Sequence, residues 1–513
     1  MSDDNVQYER PLSDEELKRA EEEGKIGSRD RIHTVIFAFL VGMAFDYLFY
    51  DKYPGLSFTI FGVLLMGFFF YSARERINYK RKTGWFVLAV IFLLSSNFAI
   101  RSNSFLATLN ALCVPLLTVA YTILVTNEKP DWSKPSFIIK MAERIFYLSF
   151  LNVLKPFIFL KQLTAKKEKG EINKTRRSIL IGLLASLPVL IFVVPLLSSA
   201  DMVFNHYIRN MADIFDFIKM DNLFIHIILT GGVFLYVFGY AWSFKFSDAN
   251  REYPELEKEG NIDPTVIITM LGVMNAVYLL FTIIQFSYLY GGAEGMVPQG
   301  FTYAEYARRG FFELVAVTMI NFAILITAMR VAKNDNIKLN RVLNGFLSAL
   351  VIFTCNMLFS AHYKMSMYEE AYGYTELRIY VHIFMLLMFI LFILAMVKIW
   401  HVRFQFFKVS FTCAVLIYVA LNFMNVHSII ARNNIERYYA TGNIDIMYLL
   451  NLSYDSVPQV VELMEARGAD FPEDVKVRLR EKYNSINRDY KWMEYNYSVA
   501  RAQRVLGEYF SGE

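Results

Sequence analysis

Glu305, Arg309 and Glu313 follow one another at intervals of four in YAEYARRGFFELVAVTMIN, residues 303–321. On a helix that spacing sets one guanidinium between two carboxylates. Glu313 is the informative member: it stands about one turn inside an apolar run long enough to cross a bilayer, where an ionisable side chain needs a partner or a purpose. Acids of the same kind are Asp46 at the end of the first apolar run, Asp201 after PLLSSA, and Glu369 and Glu370 in MYEEAYGYTELRIY, which also carries Arg378. His362 and His382 flank that stretch. Carboxylates, imidazoles and a guanidinium can exchange protons or bind a polar ligand. A metal would need converging ligands, and no two histidines lie one turn apart on a helix, so no metal is expected. Arg308 and Arg309 taken singly read as charges at a helix end; for Glu313 a ligand-binding and an ion-pairing role stand side by side.

The elements that must position these groups follow from composition. The 513 residues are 55% hydrophobic and 19% charged, and the apolar ones come in blocks of nearly twenty, the length that spans about 30 Å of hydrocarbon. Spans are expected near 32–50, 55–73, 84–100, 105–126, 178–198, 222–242, 264–290, 310–329, 343–362, 380–400 and 404–424, about eleven in all. The expected fold is therefore all-α, a polytopic transmembrane bundle over 32–424 with a small C-terminal helical domain. Loops such as RERINYKRK and KQLTAKKEKGEINKTRR are basic, whereas DKYPG and RSNS are poor in Lys and Arg. The positive-inside rule then puts the segment 1–31 in the cytoplasm and, with an odd span count, the tail 425–513 outside. In this orientation the acids collect on the outer rim. The net charge of +4 gives no reason to expect a nucleic-acid partner.

Between the fourth and fifth spans, residues near 137–160 mix apolar side chains with Lys140, Arg144, Lys155 and Pro156, which suits an amphipathic helix on the cytoplasmic surface, a re-entrant segment being the alternative. Pro188 and Pro195 should bend the fifth span. Asn97, Asn110, Asn275, Gln285, Asn321 and Asn356 lie within spans and suit interhelical hydrogen bonds. Cys113, Cys355 and Cys413 sit in apolar runs without metal or disulfide spacing. In the tail, Gly442 can end a helix, Asp455 or Ser456 with Pro458 can open another, and Pro472 can start a third. Trp492, Tyr495, Val499, Ala502, Leu506 and Tyr509 then form a helical stripe, expected to pack on the domain's other helices.

YAEYARRGFFELVAVTMIN, MYEEAYGYTELRIYVHIFM, SADMVFNHYI and NVHSIIARNNIERYYATGNIDIMYLLNLSYDSVPQVVEL, in that role as landmarks, resemble a bacterial multi-pass membrane family known as domain of unknown function 4173, related to the 4153 type. The resemblance runs from about Asp46 to the final helix. Where that family opens the tail with Asn-Pro, Asn425 is here followed by Val426. It implies a protein of the bacterial cytoplasmic membrane and no reaction. The functional expectation is a receptor-like or regulatory, scaffolding protein with an outward-facing polar pocket built from Asp46, Asp201, Arg309, Glu313, Glu369 and Arg378. Its partners would be the lipid bilayer and a protein or small ligand on the outer side. A facilitator-type transporter is the alternative, and an intramembrane enzyme ranks last because no nucleophile elbow, H-E-x-x-H or P-loop pattern occurs. No cofactor is expected.

Overall fold

The computed structural model describes residues 23–126, 132–133, 136–165, 201, 220–246, 263–289, 311–331, 336–467 and 472–511. Among them there is helix and no strand. The long apolar helices are α1 (Ser28–Phe49), α2 (Leu56–Ser72), α3 (Lys82–Ile100) and α4 (Ser104–Thr126), then, after a short-helix segment, α7 (Met220–Ser243), α8 (Pro264–Leu289), α9 (Phe311–Val331), α10 (Ile337–Tyr372), α11 (Glu376–Trp400) and α12 (Phe406–Phe423). Among the described residues nine of these helices are long and apolar enough to cross a membrane, and α2 is a shorter apolar one. Ile36, Phe39, Leu64, Phe92, Val277 and Ile352 remain exposed, as expected of helices whose outer surface faces acyl chains rather than water. The fifth expected span, with Pro188 and Pro195, lies outside the described residues.

Three apolar clusters build the described part of the bundle, two of them in one half. In one half Ala38, Leu94, Phe238 and Trp242 are buried among α1 to α4 and α7. In the other, Leu271, Leu325, Leu350 and Phe392 join α8 to α11. Helices α1 and α7 approach closely at Gly42, where a Cβ would lie 2.6 Å from the Thr230 carbonyl oxygen. Amides tie the interior: Asn110 donates to Asn422 Oδ1 (2.6 Å), Asn97 to the Asn422 carbonyl (2.6 Å), Asn275 to the Phe346 carbonyl (2.9 Å) and Asn321 to Thr354 (2.9 Å). In hydrocarbon such groups must find one another, which fixes helix register.

Bonds at the helix ends define two faces. On one, Asp30 at the start of α1 meets Arg74 (3.3 Å) and Lys245 (2.7 Å), and the Asn78 N–H meets the Val125 carbonyl (2.8 Å). The segment 136–165 lies on this face as α5 (Ser136–Ala142), a π turn Glu143–Leu148 and α6 (Lys155–Ala165). Its Arg144 is buried, donating to the Ser243 carbonyl (2.7 Å) and hydroxyl (3.0 Å) with its guanidinium 4.2 Å from the Phe244 ring centre, while Ile138, Phe146 and Leu154 point outward.

The opposite face carries a cap of shorter helices: α13 (Val426–Thr441), α14 (Ile446–Asn451), α15 (Val457–Arg467), α16 (Glu473–Ile486) and α17 (Tyr497–Ser511). The chain enters it at Asn425, whose side chain accepts from the Ser428 N–H (3.4 Å), so the N-cap role is filled without the proline of the resembling family. Gly442 ends α13 in the left-handed conformation. Ile430, Leu449, Val460, Leu479, Ala502 and Leu506 form the cap's core. The expected apolar stripe is realised from Val499 onward, where Val499 and Tyr509 pack on the cap core with Ala502 and Leu506. Ala502 and Leu506 are buried, but the helix starts at Tyr497, and Trp492 sits in a 3-10 turn, exposed, because Glu494 holds the backbone there to the α1–α2 loop.

Lys482 staples the cap internally, its ammonium donating to the Leu450 (2.8 Å) and Leu452 (2.5 Å) carbonyls. Burial, with Arg478 nearby, pushes its pKa down to about 8. The folded cap thus binds that proton less well than the unfolded chain, and the neutral amine keeps donors for both carbonyls. Stability is therefore gained as pH rises from about 8 towards the unfolded value and lost as pH falls back through 8, by at most about 3 kcal/mol. Urea or thermal unfolding of the cap between pH 7 and 10 should show this rise, and Lys482→Arg should flatten it.

Candidate functional site

The cap face collects carboxylates and imidazoles into bonded pairs, and the bonds at each imidazole decide what chemistry it can do. His427, on α13, accepts the Ser453 N–H at Nδ1 (2.9 Å), so its proton sits on Nε2 and points at Glu376 Oε1 (3.2 Å). The same oxygen accepts from Tyr380 (2.7 Å) and Asn103 (3.0 Å). Both nitrogens of His427 are engaged, so this pair is a joint between α3–α4, α11 and the cap.

The second pair leaves a nitrogen open. His226 on α7 places Nδ1 2.8 and 2.7 Å from the two oxygens of Asp46 on α1. An ionised Asp46 accepts, so Nδ1 carries the proton and Nε2 keeps a lone pair. Tyr50 packs on the imidazole with ring centres 4.2 Å apart. A hollow of about 320 Å³ opens beside the pair, lined by Met43, Asp46, Tyr47, Tyr50, Lys52 and His226.

The third is a relay. Glu369 Oε2 accepts from His382 Nε2 (3.0 Å), and His382 Nδ1 meets His362 Nδ1 (2.8 Å). Two like nitrogens at that separation share one proton, so His362 donates and its Nε2 faces outward as an acceptor. Glu369 is buried at 5% exposure, and its Oε1 has no hydrogen-bond partner among the described residues. The buried Glu369 carboxylate thus fixes the orientation of the outer imidazole through the inner one. Among the described residues no group of three or more His, Cys, Asp or Glu is arranged to hold a metal.

Of the six residues the sequence singles out, Asp46 and Glu369 are therefore bonded to histidines. Arg378 donates to the Gly373 carbonyl and lies 4.3 Å from the Tyr368 ring centre, beside a hollow of about 240 Å³ lined by Phe311, Phe312, Met365, Leu377 and Val381. Glu313 is exposed in the first turn of α9, close enough to Lys364 for the two charges to interact. Asp201 is exposed, and Arg309 lies outside the described residues. The hollows beside Asp46 and Arg378 share no lining residue, so what the sequence reading joins in one pocket is distributed over two places on this face. His226, His427 and Glu376 give no sequence signal and Asp455 reads only as a helix start, since the pairings that define them, His226 with Asp46, His427 with Glu376 and Asp455 with Ser102, join positions 180, 51 and 353 apart.

Asp455 is the densest node. Its buried carboxylate accepts from the Ser102 N–H (2.9 Å) and hydroxyl (2.9 Å), Ser453 (3.0 Å), Ser498 (2.5 Å) and Arg101 (3.4 Å). Asn496 adds bonds to the Phe98 (2.8 Å) and Arg101 (2.7 Å) carbonyls. The α1–α2 loop is held by the Tyr53 N–H on Glu494 (2.9 Å) and the Leu56 N–H on the Tyr495 carbonyl (3.1 Å). The α10–α11 loop is held by Asn434, which accepts the Tyr374 N–H (2.9 Å) and donates to the Tyr374 carbonyl (2.9 Å). That last grip requires Gly373, at φ +86°, where a Cβ would lie 2.4 Å from Asn434 Oδ1. Gly373→Ala should cost about 2 kcal/mol or more, from backbone strain plus loss of the Asn434 bonds. Gly442→Ala, at φ +76° but in open space, should cost only the strain, about 1 kcal/mol. Thermal unfolding of the two variants side by side tests the difference.

A family profile described as Domain of unknown function (DUF4153) matches residues 88–463, from within α3 to α15. No curated protein and no solved structure matches the chain.

Proposed function

The chain belongs to the DUF4153 family, and on that premise we propose that it is a receptor-like or regulatory membrane protein whose external cap is held in one position on the bundle, with recognition of a ligand or protein on the cap face. One observation carries this reading: the cap is bonded to three loops, α1–α2, α3–α4 and α10–α11, that belong to both halves of the bundle. A carrier that alternates its access must part such loops; a scaffold keeps them together. The ligand-contacting groups are Asp46 with His226, Glu369 with His382 and His362, and Arg378, to which the sequence reading adds Asp201, Arg309 and Glu313.

The same proposal includes eleven spans, the N-terminus in the cytoplasm, the cap outside, residence in the bacterial cytoplasmic membrane, and the 4173 variety of the family. The described helices support the orientation, because Arg74, Arg76, Lys80, Arg81, Lys155 and Lys245 crowd the face away from the cap. Proteoliposomes test the functional class. A scaffold or receptor gives no protein-dependent flux across a panel of small solutes. Saturable flux, lost in Glu313→Gln, would replace this reading with the facilitator.

A further inference from the structure

The cap leaves one edge aromatic and uncovered. Trp492, Tyr495 and Tyr497 are 57%, 48% and 47% exposed, and Tyr53 in the α1–α2 loop and Tyr47 near the end of α1 are 64% and 56% exposed. Position gives these side chains a meaning that exposure alone would not. Leu56 is the first residue of α2 and its N–H is bonded to the Tyr495 carbonyl. At Gly55 a Cβ would lie 2.6 Å from the Glu494 carbonyl oxygen, so backbone meets backbone there. Helix α1 has ended at Phe49. The cap segment 492–497 therefore lies level with the ends of two apolar helices, the depth at which Trp and Tyr are enriched in membrane proteins because the ring is apolar and its N–H or O–H is wet.

The charges around this edge fit the same depth. The Lys52 ammonium lies 4.6 Å from the Tyr47 ring centre. Arg488 lies between the Tyr53 (4.4 Å) and Tyr490 (4.7 Å) rings and 3.7 Å from Glu494. Lys491 is exposed. Burial and the Lys491 charge lower the proton affinity of Lys52, against the pull of Asp46, Glu494 and Asp51. Around Lys52 lie one further ammonium, Lys491, and three acids, Asp46, Asp51 and Glu494, the last also paired with Arg488, so cations and acids are mixed along this edge. A balanced set suits a surface that offers both phosphate and ammonium.

We propose that this edge of the cap, Tyr53, Trp492, Tyr495 and Tyr497 with Lys52 and Lys491, rests in the zwitterionic phospholipid headgroup layer of the leaflet on the cap side. The inference needs α1 and α2 to span the membrane, and it stands whichever face is external. Headgroup contact and the bonds to the α1–α2 loop then hold the cap's tilt together.

The test is the emission of Trp492, taken as the difference between the full chain and its Trp492→Phe variant in nanodiscs of phosphatidylcholine and phosphatidylethanolamine. Lipid brominated high on the acyl chain should quench that difference signal more than lipid brominated near the chain end, and aqueous iodide should quench it less than it quenches free indole. Replacing part of the lipid by phosphatidylglycerol should leave the quenching unchanged. A spin label on Tyr495→Cys gives the same reading without removing Trp492: oxygen should reach it better than a water-soluble nickel chelate does. Iodide quenching as strong as for free indole with no effect of bromolipid, or a label that favours the chelate, would overturn the proposal. Quenching that grows steeply with phosphatidylglycerol would overturn the zwitterionic assignment.

Discussion

Asp455→Ala should release the cap from the bundle at a cost of about 3–5 kcal/mol, the range for removing one partner of a buried ion pair. The carboxylate is 6% exposed and satisfies four neutral donors and one guanidinium. Deleting it takes the acceptor from the Ser102 N–H and from the Ser102 and Ser453 hydroxyls and the counter-charge from Arg101 at the junction of α3–α4 with the cap, while Ser498 keeps the Ile100 carbonyl and Arg101 the Phe423 carbonyl. The hydroxyls can turn to one another, but the N–H and the guanidinium cannot. Asp455→Asn should fall between: it keeps one acceptor oxygen and brings an NH2 against groups that all donate. Hydrogen exchange reads the effect. Protection of α15 and α17 should drop by two to three orders of magnitude, since each 1.4 kcal/mol is tenfold, while α8 to α10 keep theirs.

Glu376→Ala should have the second largest effect, about 2–4 kcal/mol. One carboxylate oxygen accepts from Asn103, Tyr380 and His427, and the Glu376 N–H donates to Tyr448 (3.0 Å). Removing the side chain leaves three buried or half-buried donors aimed at one empty point, and it frees the orientation of His427, which is set from its other side by Ser453. Glu376→Gln retains an acceptor and should lose about 1 kcal/mol or less. Tyr380→Phe should cost about 1 kcal/mol, one donor of the three. If Glu376→Ala unfolds no more readily than Tyr380→Phe, the shared-acceptor description of the joint is wrong. Thermal unfolding monitored in nanodiscs separates the three variants.

Much of the bundle is legible because the bilayer imposes a local rule: a helix in hydrocarbon needs an unbroken apolar block, and the loops DKYPG, RERINYKRK and RSNS interrupt those blocks visibly. Helices α1 to α4 and α7 to α12 accordingly fall where apolar runs predict them, with ends shifted by a few residues. The main shift is α10, which continues to Tyr372 past the expected end near 362. MYEEAY carries good helix formers, and Glu369 is buried against α11 rather than solvated in a loop. In the cap, Gly442 and the helix beginning after Pro472 follow local capping chemistry and were readable for that reason.

The site was legible in kind and not in arrangement. Residue type and depth mark Asp46, Glu369, Arg378, His362 and His382, because a charge near hydrocarbon is costly wherever it goes. Which imidazole meets which carboxylate depends on helix neighbours, and no spacing in the chain encodes that α7 packs on α1 or that α13 returns to α3–α4. Hence His226 and His427 carried no signal, and Asp455 read only as a helix start. Trp492 misled for a related reason: its period of three and four is helical, but the bonds of Glu494 to Tyr53 and Lys491 hold that stretch out of the helix.

The claim that the cap is fixed to both halves of the bundle is tested most directly by the distance between spin labels on Glu436, exposed on the cap, and Lys80, exposed on the opposite face, measured by double electron–electron resonance in nanodiscs. A fixed cap gives one narrow distance distribution, and Asp455→Ala broadens it. A broad or two-peaked distribution in the unaltered chain, insensitive to Asp455→Ala, would mean that the cap swings freely and that the three loop contacts do not hold it.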